Sequence, residues 1–119
     1  MLLLLTFSCS AGDSGSAVAE HAVQLARVDQ ATASCFVQAS PDPLWRDYAW
    51  YRLVRDTQPD CTFAVWYCDQ IEMAELASRC EILLYKPWLR VEQPEIGTRE
   101  DCSYVEVAAV KAPVCGPDH

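Results

Sequence analysis

Seven cysteines, spread from residue 9 to residue 115, constrain the fold of this 119-residue chain more than any other feature. The first eleven residues, MLLLLTFSCSA, join a short apolar run to small residues, which is typical of a secretory signal cleaved near Ala11. The run lacks a basic start and is too short to span a bilayer, so the alternative is the clipped start of a longer signal. We therefore predict a signal peptide at residues 1–11, a single domain at residues 12–119 and a secreted, extracellular protein.

Cleavage would discard Cys9 and leave an even set of six cysteines. An even set in a small exported chain predicts a disulfide framework whose connectivity stays open. A zinc site is a poor alternative, because the chain has no C-x-x-C pair and its only histidines are His21 and His119. We expect His21 to be an exposed helix residue, and we predict no metal and no other cofactor.

Charge and motifs exclude several classes of function. The net charge of −8 argues against nucleic acid or an anionic membrane as the partner. The chain has no G-x-S-x-G elbow, no H-E-x-x-H pair and no phosphate-binding glycine loop. Its carboxylates do not form a pair in an apolar setting that would separate their pKa values. We predict that the protein is not an enzyme.

The pattern along the chain predicts one helix followed by strands. Residues 17–33 place Val18, Ala22, Leu25 and Val28 near one helical face. Residues 47–57 and 61–68 are dense in aromatic and β-branched residues and indicate an antiparallel hairpin. Residues 69–79 fit a short helix or a continued strand, with the helix favoured. Further strands are expected at residues 81–86 and 101–110.

This order predicts an α+β fold, with one long N-terminal helix packed across a four-stranded antiparallel sheet and stapled by disulfides. In a straight strand Cys61 and Cys68 would lie roughly 23 Å apart. Disulfide Cα atoms must lie within roughly 7 Å of each other, so these two cysteines should not pair together. Each is expected to reach another element.

Two segments carry a family resemblance. YRLVR at Tyr51–Arg55 and RCEILLYKPWL at Arg79–Leu89, in this order after a helix, resemble the secreted, type 2-like cystatins. The resemblance covers most of residues 15–105 and implies a cystatin-like fold with a Cys80–Cys102 disulfide. It also implies inhibition of papain-like cysteine proteases, whose cleft the family fills with a wedge of three segments.

The resemblance assigns the wedge to particular residues of this chain. Gly15 corresponds to the N-terminal glycine, and Pro87 with Trp88 corresponds to the Pro-Trp hairpin tip. The middle segment is Gln58-Pro59-Asp60, and here the chain departs from the family pattern Q-x-V-x-G. Asp60 stands in place of valine, and a carboxylate buried against a protease without a partner would cost several kcal/mol.

Two hypotheses of function follow. The first is a secreted, monomeric cystatin-like inhibitor that binds a papain-like cysteine protease through the Pro87-Trp88 hairpin. The second is an extracellular cystatin-fold binding protein that does not inhibit proteases, which the altered middle segment and the additional cysteines favour. A disulfide pattern without Cys80–Cys102 would break the resemblance at its strongest point.

Overall fold

The computed structural model of the chain describes residues 16–86, 89 and 101–115, and the regular secondary structure over these residues is entirely helical. Helix α1 covers the described residues 16–26. It is followed by α2 (Gln30–Gln38), α3 (Pro43–Thr57), α4 (Cys61–Gln70), α5 (Ala74–Tyr85) and a short 3-10 turn (Val107–Ala109). No strand occurs among the described residues, so the predicted α+β, cystatin-like fold with a four-stranded sheet is wrong.

The predicted helix over residues 17–33 is two helices. The chain leaves α1 after residue 26, and Asp29 is extended (φ −160°), with its carboxylate accepting a hydrogen bond from the Thr32 amide. This N-cap starts α2 in a new direction. Ala22 is buried as predicted, whereas Val28, placed by the prediction on the same face, is 88% exposed because it lies in the break.

The segments predicted as the first two strands are the central helices of the fold. Asp42 caps α3 by accepting hydrogen bonds from the amides of Leu44 and Trp45, and Pro43 stands at its first position. Asp60 caps α4 in the same way through the Phe63 amide. These two caps, combined with burial in the core, override the β propensity of the aromatic and β-branched residues.

Aromatic packing joins α3 to α4. Trp50 lies edge-on to Trp66, with ring centroids 5.2 Å apart, and stacks on Tyr67 at 5.4 Å. Five consecutive residues of α4, from 64 to 68, are buried, so this helix is covered on all sides. A continuous apolar run of this length does not by itself distinguish a buried helix from a buried strand.

The Tyr67 hydroxyl connects this core to α2. It donates a hydrogen bond to the Gln30 side-chain oxygen at 2.7 Å. Burial, with a smaller contribution from the negative charges of Asp60 and Asp29, raises the pKa of Tyr67 well above its ordinary value. The phenol therefore stays protonated and keeps its role as a donor.

Helix α5 starts on a carboxylate from a different helix. Asp47 of α3 is 4% exposed and accepts hydrogen bonds from the amides of Glu72 (3.1 Å) and Met73 (2.9 Å). The N-cap residue of α5, Met73, makes no capping hydrogen bond with its own side chain, and Asp47 instead binds the amide of Met73 and that of the residue before it, which fixes the chain where the helix begins. The predicted helix in residues 69–79 is thus confirmed in its second half, and the strand predicted at residues 81–86 is the end of the same helix.

Three disulfides staple the helices. They join Cys35 to Cys115, Cys61 to Cys102 and Cys68 to Cys80. Cys61 and Cys68 do pair with other elements, as predicted. The reason given for this was wrong, because the two residues lie on a helix and are only about 10 Å apart along its axis, far closer than in a straight strand. Instead, the two side chains leave α4 towards different partners.

The implied Cys80–Cys102 disulfide is wrong, because each of these cysteines pairs with a residue of α4. The cystatin resemblance therefore fails at its strongest point. Three disulfides in a chain of this size are consistent with an extracellular protein. Among the described helices, none combines the length and the apolar character needed to cross a membrane.

Candidate functional site

The predicted protease-binding residues do not form a wedge in the part of the chain that the structure describes. Gly15, Pro87 and Trp88 lie outside the described residues. Gln58, Pro59 and Asp60 form the connection between α3 and α4 rather than a hairpin loop. Inhibition of a papain-like protease stays a prediction, without the hairpin geometry from which it was argued.

Each residue of this connection has a structural role. Gln58 ends α3 in the left-handed conformation, at φ 51° and ψ 55°. Pro59 is buried, and the Asp60 carboxylate accepts the Phe63 amide at 3.0 Å. The carboxylate that departed from the cystatin pattern is therefore the cap of a helix, which explains why aspartate stands there.

An apolar cleft of about 280 Å³ opens where α1, α2 and α3 meet. Its walls come from one side of α1, from the end of α2 with the turn that follows, and from the first turn of α3. The residues that line the cleft are Val18, Phe36, Ala39, Ser40, Pro41 and Trp45. Five of these six side chains are apolar, so a molecule in the cleft would meet a hydrocarbon and aromatic surface.

Three features fix the shape of this cleft. Phe36 packs against His21, an exposed residue of α1 as predicted, whose ring lies edge-on to the phenyl ring at a centroid distance of 4.7 Å. Trp45 is set by the cap of α3, since its amide donates to Asp42 at 3.2 Å. The Cys35–Cys115 disulfide ties α2, one residue before Phe36, to the C-terminal segment.

Ion pairs hold α1, the cleft wall that carries Val18, against α3. Arg52 contacts both Glu20 of α1, at 3.0 Å, and Asp56 of its own helix, and Arg55 contacts Asp56 at 2.7 Å. Burial raises the pKa of Asp56, but hydrogen bonds from Arg55 and Arg52 outweigh it, and the net shift is downward. Asp56 therefore stays ionised at neutral pH and keeps this network together.

Ser40, one of the residues that line the cleft, carries a buried hydroxyl without a hydrogen-bond partner among the described residues. The backbone of Ser40 is satisfied, because its amide donates to Val37 at 3.0 Å and its carbonyl accepts from Arg46 at 2.6 Å. Its Oγ atom is buried and has no hydrogen-bond partner among the described residues, where it is the one such side-chain atom. An unsatisfied buried hydroxyl costs roughly 1–3 kcal/mol.

Arg46 lies next to the Ser40 backbone but is not one of the residues that line the cleft. Its guanidinium binds the Ser40 carbonyl oxygen, and the side chain is partly buried. Within the described part of the chain, Arg46 forms no ion pair, in contrast to Arg52, Arg55 and Arg79. A guanidinium has several N–H donors, so most of its hydrogen-bonding capacity remains.

A second cavity of about 160 Å³ lies beside the Cys68–Cys80 disulfide, between α4, α5 and the 3-10 turn. Two acidic residues, Asp69 and Glu81, stand at its walls with apolar residues such as Ile71. It is smaller and more polar than the first cavity. No described group of histidine, cysteine and acidic residues is arranged to hold a metal ion.

No protein family model, curated protein or solved structure matches this chain. Its function must therefore be inferred from its own geometry. The α1–α3 cleft is the feature on which such an inference can rest.

The residues of the cleft were not identified by the sequence analysis. The sequence Ser40-Pro41-Asp42-Pro43 indicates a stop and a turn. Phe36 lies four residues before this turn and Trp45 two residues after it, but no motif in the sequence marks either as part of a site.

Proposed function

We propose that the protein is an extracellular, non-catalytic binding protein that takes a small, mainly apolar molecule into the cleft between α1, α2 and α3. This develops the second hypothesis from the sequence, a binding protein without protease inhibition, on a helical rather than a cystatin fold. The observation that carries the proposal is the open cleft of about 280 Å³ between three helices, in which five of the six lining side chains are apolar.

The volume of the cleft sets the size of the ligand. An apolar cavity of about 150 Å³ is enough for benzene, and at about 30 Å³ per heavy atom a 280 Å³ cleft holds roughly nine or ten atoms. With about 0.5 kcal/mol per atom, such a ligand would bind with about −5 kcal/mol, or a Kd of about 0.2 mM. This is the affinity expected of a carrier or sensor for an abundant small molecule.

The neutral probe 1-octanol tests the proposal directly. We expect saturable binding to the oxidised protein by calorimetry, together with a change in tryptophan fluorescence as Trp45 is covered. Ala39→Phe, which fills the cleft, should abolish binding. Ala74→Phe, at an exposed position on α5, is the matched control and should bind as the native protein does.

Absence of saturable 1-octanol binding in a protein with its three disulfides formed would contradict the proposal. Equal binding by the Ala39→Phe and Ala74→Phe variants would place the ligand elsewhere and contradict it as well.

A further inference from the structure

The Cys35–Cys115 disulfide reaches the protein surface through one of its two cysteines. Cys35, in α2, is 8% exposed, whereas Cys115 is an exposed residue of the C-terminal segment. It belongs to residues 111–115, which have no regular secondary structure and of which four in five are exposed. By contrast, Cys68 and Cys80 are 6% and 0% exposed, so a thiol reaches their bond only after local opening of the helices.

The Cys61–Cys102 disulfide is less open to a thiolate for two reasons. Cys61 is partly buried, and Cys102 is 2% exposed. Each of the two cysteines also directly follows an aspartate, Asp60 in one case and Asp101 in the other. Carboxylates so close to the bond repel an approaching thiolate.

The burial of Cys35 also decides which sulfur of its disulfide can be attacked. A thiolate approaches a disulfide in line with the S–S bond, on the side of the attacked sulfur that faces away from the other sulfur. For Cys35 this approach is covered by the protein, and for Cys115 it is open to solvent. Cys115 is therefore the sulfur that is attacked, and Cys35 is the leaving group.

Gln38 places a hydrogen-bond donor against the exposed partner. Its Nε2 group donates to Cys115 Sγ at 3.5 Å and to the Ser34 hydroxyl at 3.1 Å. Negative charge is spread over the sulfur atoms during exchange, and an N–H donor stabilises a charged acceptor. Neither Cys35 nor Cys115 has a charged neighbour in the sequence, in contrast to the Cys61–Cys102 bond.

We propose that a small thiol opens the Cys35–Cys115 disulfide in the folded protein and forms a mixed disulfide on Cys115. The attacking thiolate forms a new S–S bond to Cys115 Sγ, while the Cys35–Cys115 bond breaks with its electron pair on Cys35 Sγ. The proton that the thiol loses on ionisation is taken up by the Cys35 thiolate through water. One thiol is consumed for each bond opened, so the exchange needs no other reductant. It frees residues 111–115 from α2 and leaves the other two disulfides closed.

The experiment follows all three disulfides of the native, oxidised protein during incubation with cysteamine at pH 8. A cationic thiol is the probe because the net charge of −8 repels anionic thiols. Acid stops the exchange, N-ethylmaleimide blocks the free thiols, and mass spectrometry identifies the peptides without reduction. We expect Cys35–Cys115 to open at least about tenfold faster than either other disulfide, with cysteamine on Cys115 and N-ethylmaleimide on Cys35.

Urea separates exchange in the folded protein from exchange through unfolding. Below the unfolding transition the opening rate of Cys35–Cys115 should stay constant within about twofold, because Cys115 is already exposed, whereas the rate for Cys68–Cys80 should rise. Cysteamine found mainly on Cys35, or another disulfide that opens as fast as Cys35–Cys115, would overturn the proposal. So would an opening rate of Cys35–Cys115 that rises with urea in parallel with that of Cys68–Cys80. The three bonds are compared within one molecule, so the result does not depend on any variant folding.

Discussion

Asp47 provides the sharpest test of the helical fold, because this single side chain of α3 holds the two residues that precede α5. Its two oxygens accept the amides of Glu72 and Met73, and the residue is 4% exposed. In Asp47→Ala both amides lose their acceptor. Each amide left without an acceptor should lower the free energy of unfolding by about 1 kcal/mol. This is the low end of the cost of an unsatisfied buried group, because water can reach these exposed residues. Loss of a negative charge at a helix N-terminus adds about 1 kcal/mol.

The sum predicts that Asp47→Ala lowers the free energy of unfolding by about 3 kcal/mol. At about 4 °C per kcal/mol for a domain of this size, the melting temperature should fall by about 12 °C. Asp47→Asn keeps one acceptor but loses the charge and one hydrogen bond, so about 2 kcal/mol should be lost. Urea unfolding followed by circular dichroism, with the disulfides intact, measures these differences.

Asp69→Ala is the matched control, since this aspartate is exposed and stands one turn before α5 without a capping role. It should change the free energy of unfolding by less than about 0.5 kcal/mol. If Asp47→Ala cost no more than Asp69→Ala, the assignment of Asp47 as the cap of α5 would be refuted. If Asp47→Ala lowered the free energy of unfolding and Asp47→Asn did not, the negative charge of Asp47 would make no contribution to stability.

Two further predictions concern other named residues. The pKa of Asp56 in the folded protein lies below its ordinary value of 3.8, because the hydrogen bonds from Arg55 and Arg52 outweigh the effect of burial. The ionised carboxylate therefore contributes fully to the stability of the fold above about pH 4. This contribution is lost as the pH falls through the lower pKa of the folded state. Acid unfolding of Asp56→Asn should therefore lack this component, and an unchanged pH profile would contradict it. Gln58→Gly should raise the free energy of unfolding by about 0.5–1 kcal/mol, because glycine adopts φ 51° without strain. A decrease in the free energy of unfolding, measured with urea, would contradict this reasoning.

The disulfide-rich character and the turns could be predicted from the sequence, but not whether the segments between the turns form helices or strands. Six cysteines predicted a disulfide-stapled domain, and three disulfides are present. The pairing was missed because it depends on which helices lie side by side. The proline-containing stretches at residues 41–43 and 58–60 lie where one element ends and the next begins, but the segment after each was predicted as a strand and is a helix.

The error in element type has a physical origin. Asp42 and Asp60 each precede a segment rich in aromatic residues, and the sequence signal for a cap competes with the signal for a strand. In α4 the whole of residues 64–68 is buried, so no helical period is visible in the pattern. Tertiary packing around Trp50 and Tyr67 decides the outcome, and it is not encoded within any one segment.

The candidate site could not be predicted from the sequence for a related reason. The cleft forms where α1, α2 and α3 meet, and no motif marks the residues that line it. The resemblance drew attention to Pro87 and Trp88 instead, which lie outside the described residues.

Two-dimensional amide NMR of the oxidised, isotope-labelled protein during titration with 1-octanol can locate the bound molecule residue by residue. If the α1–α3 cleft is the binding site, saturable shifts should be largest for the amides of Val18, Phe36, Ala39 and Ser40, with small shifts around Ile71 in the second cavity. Shifts centred on Ile71 and Glu81, or none that saturate, would contradict this proposal.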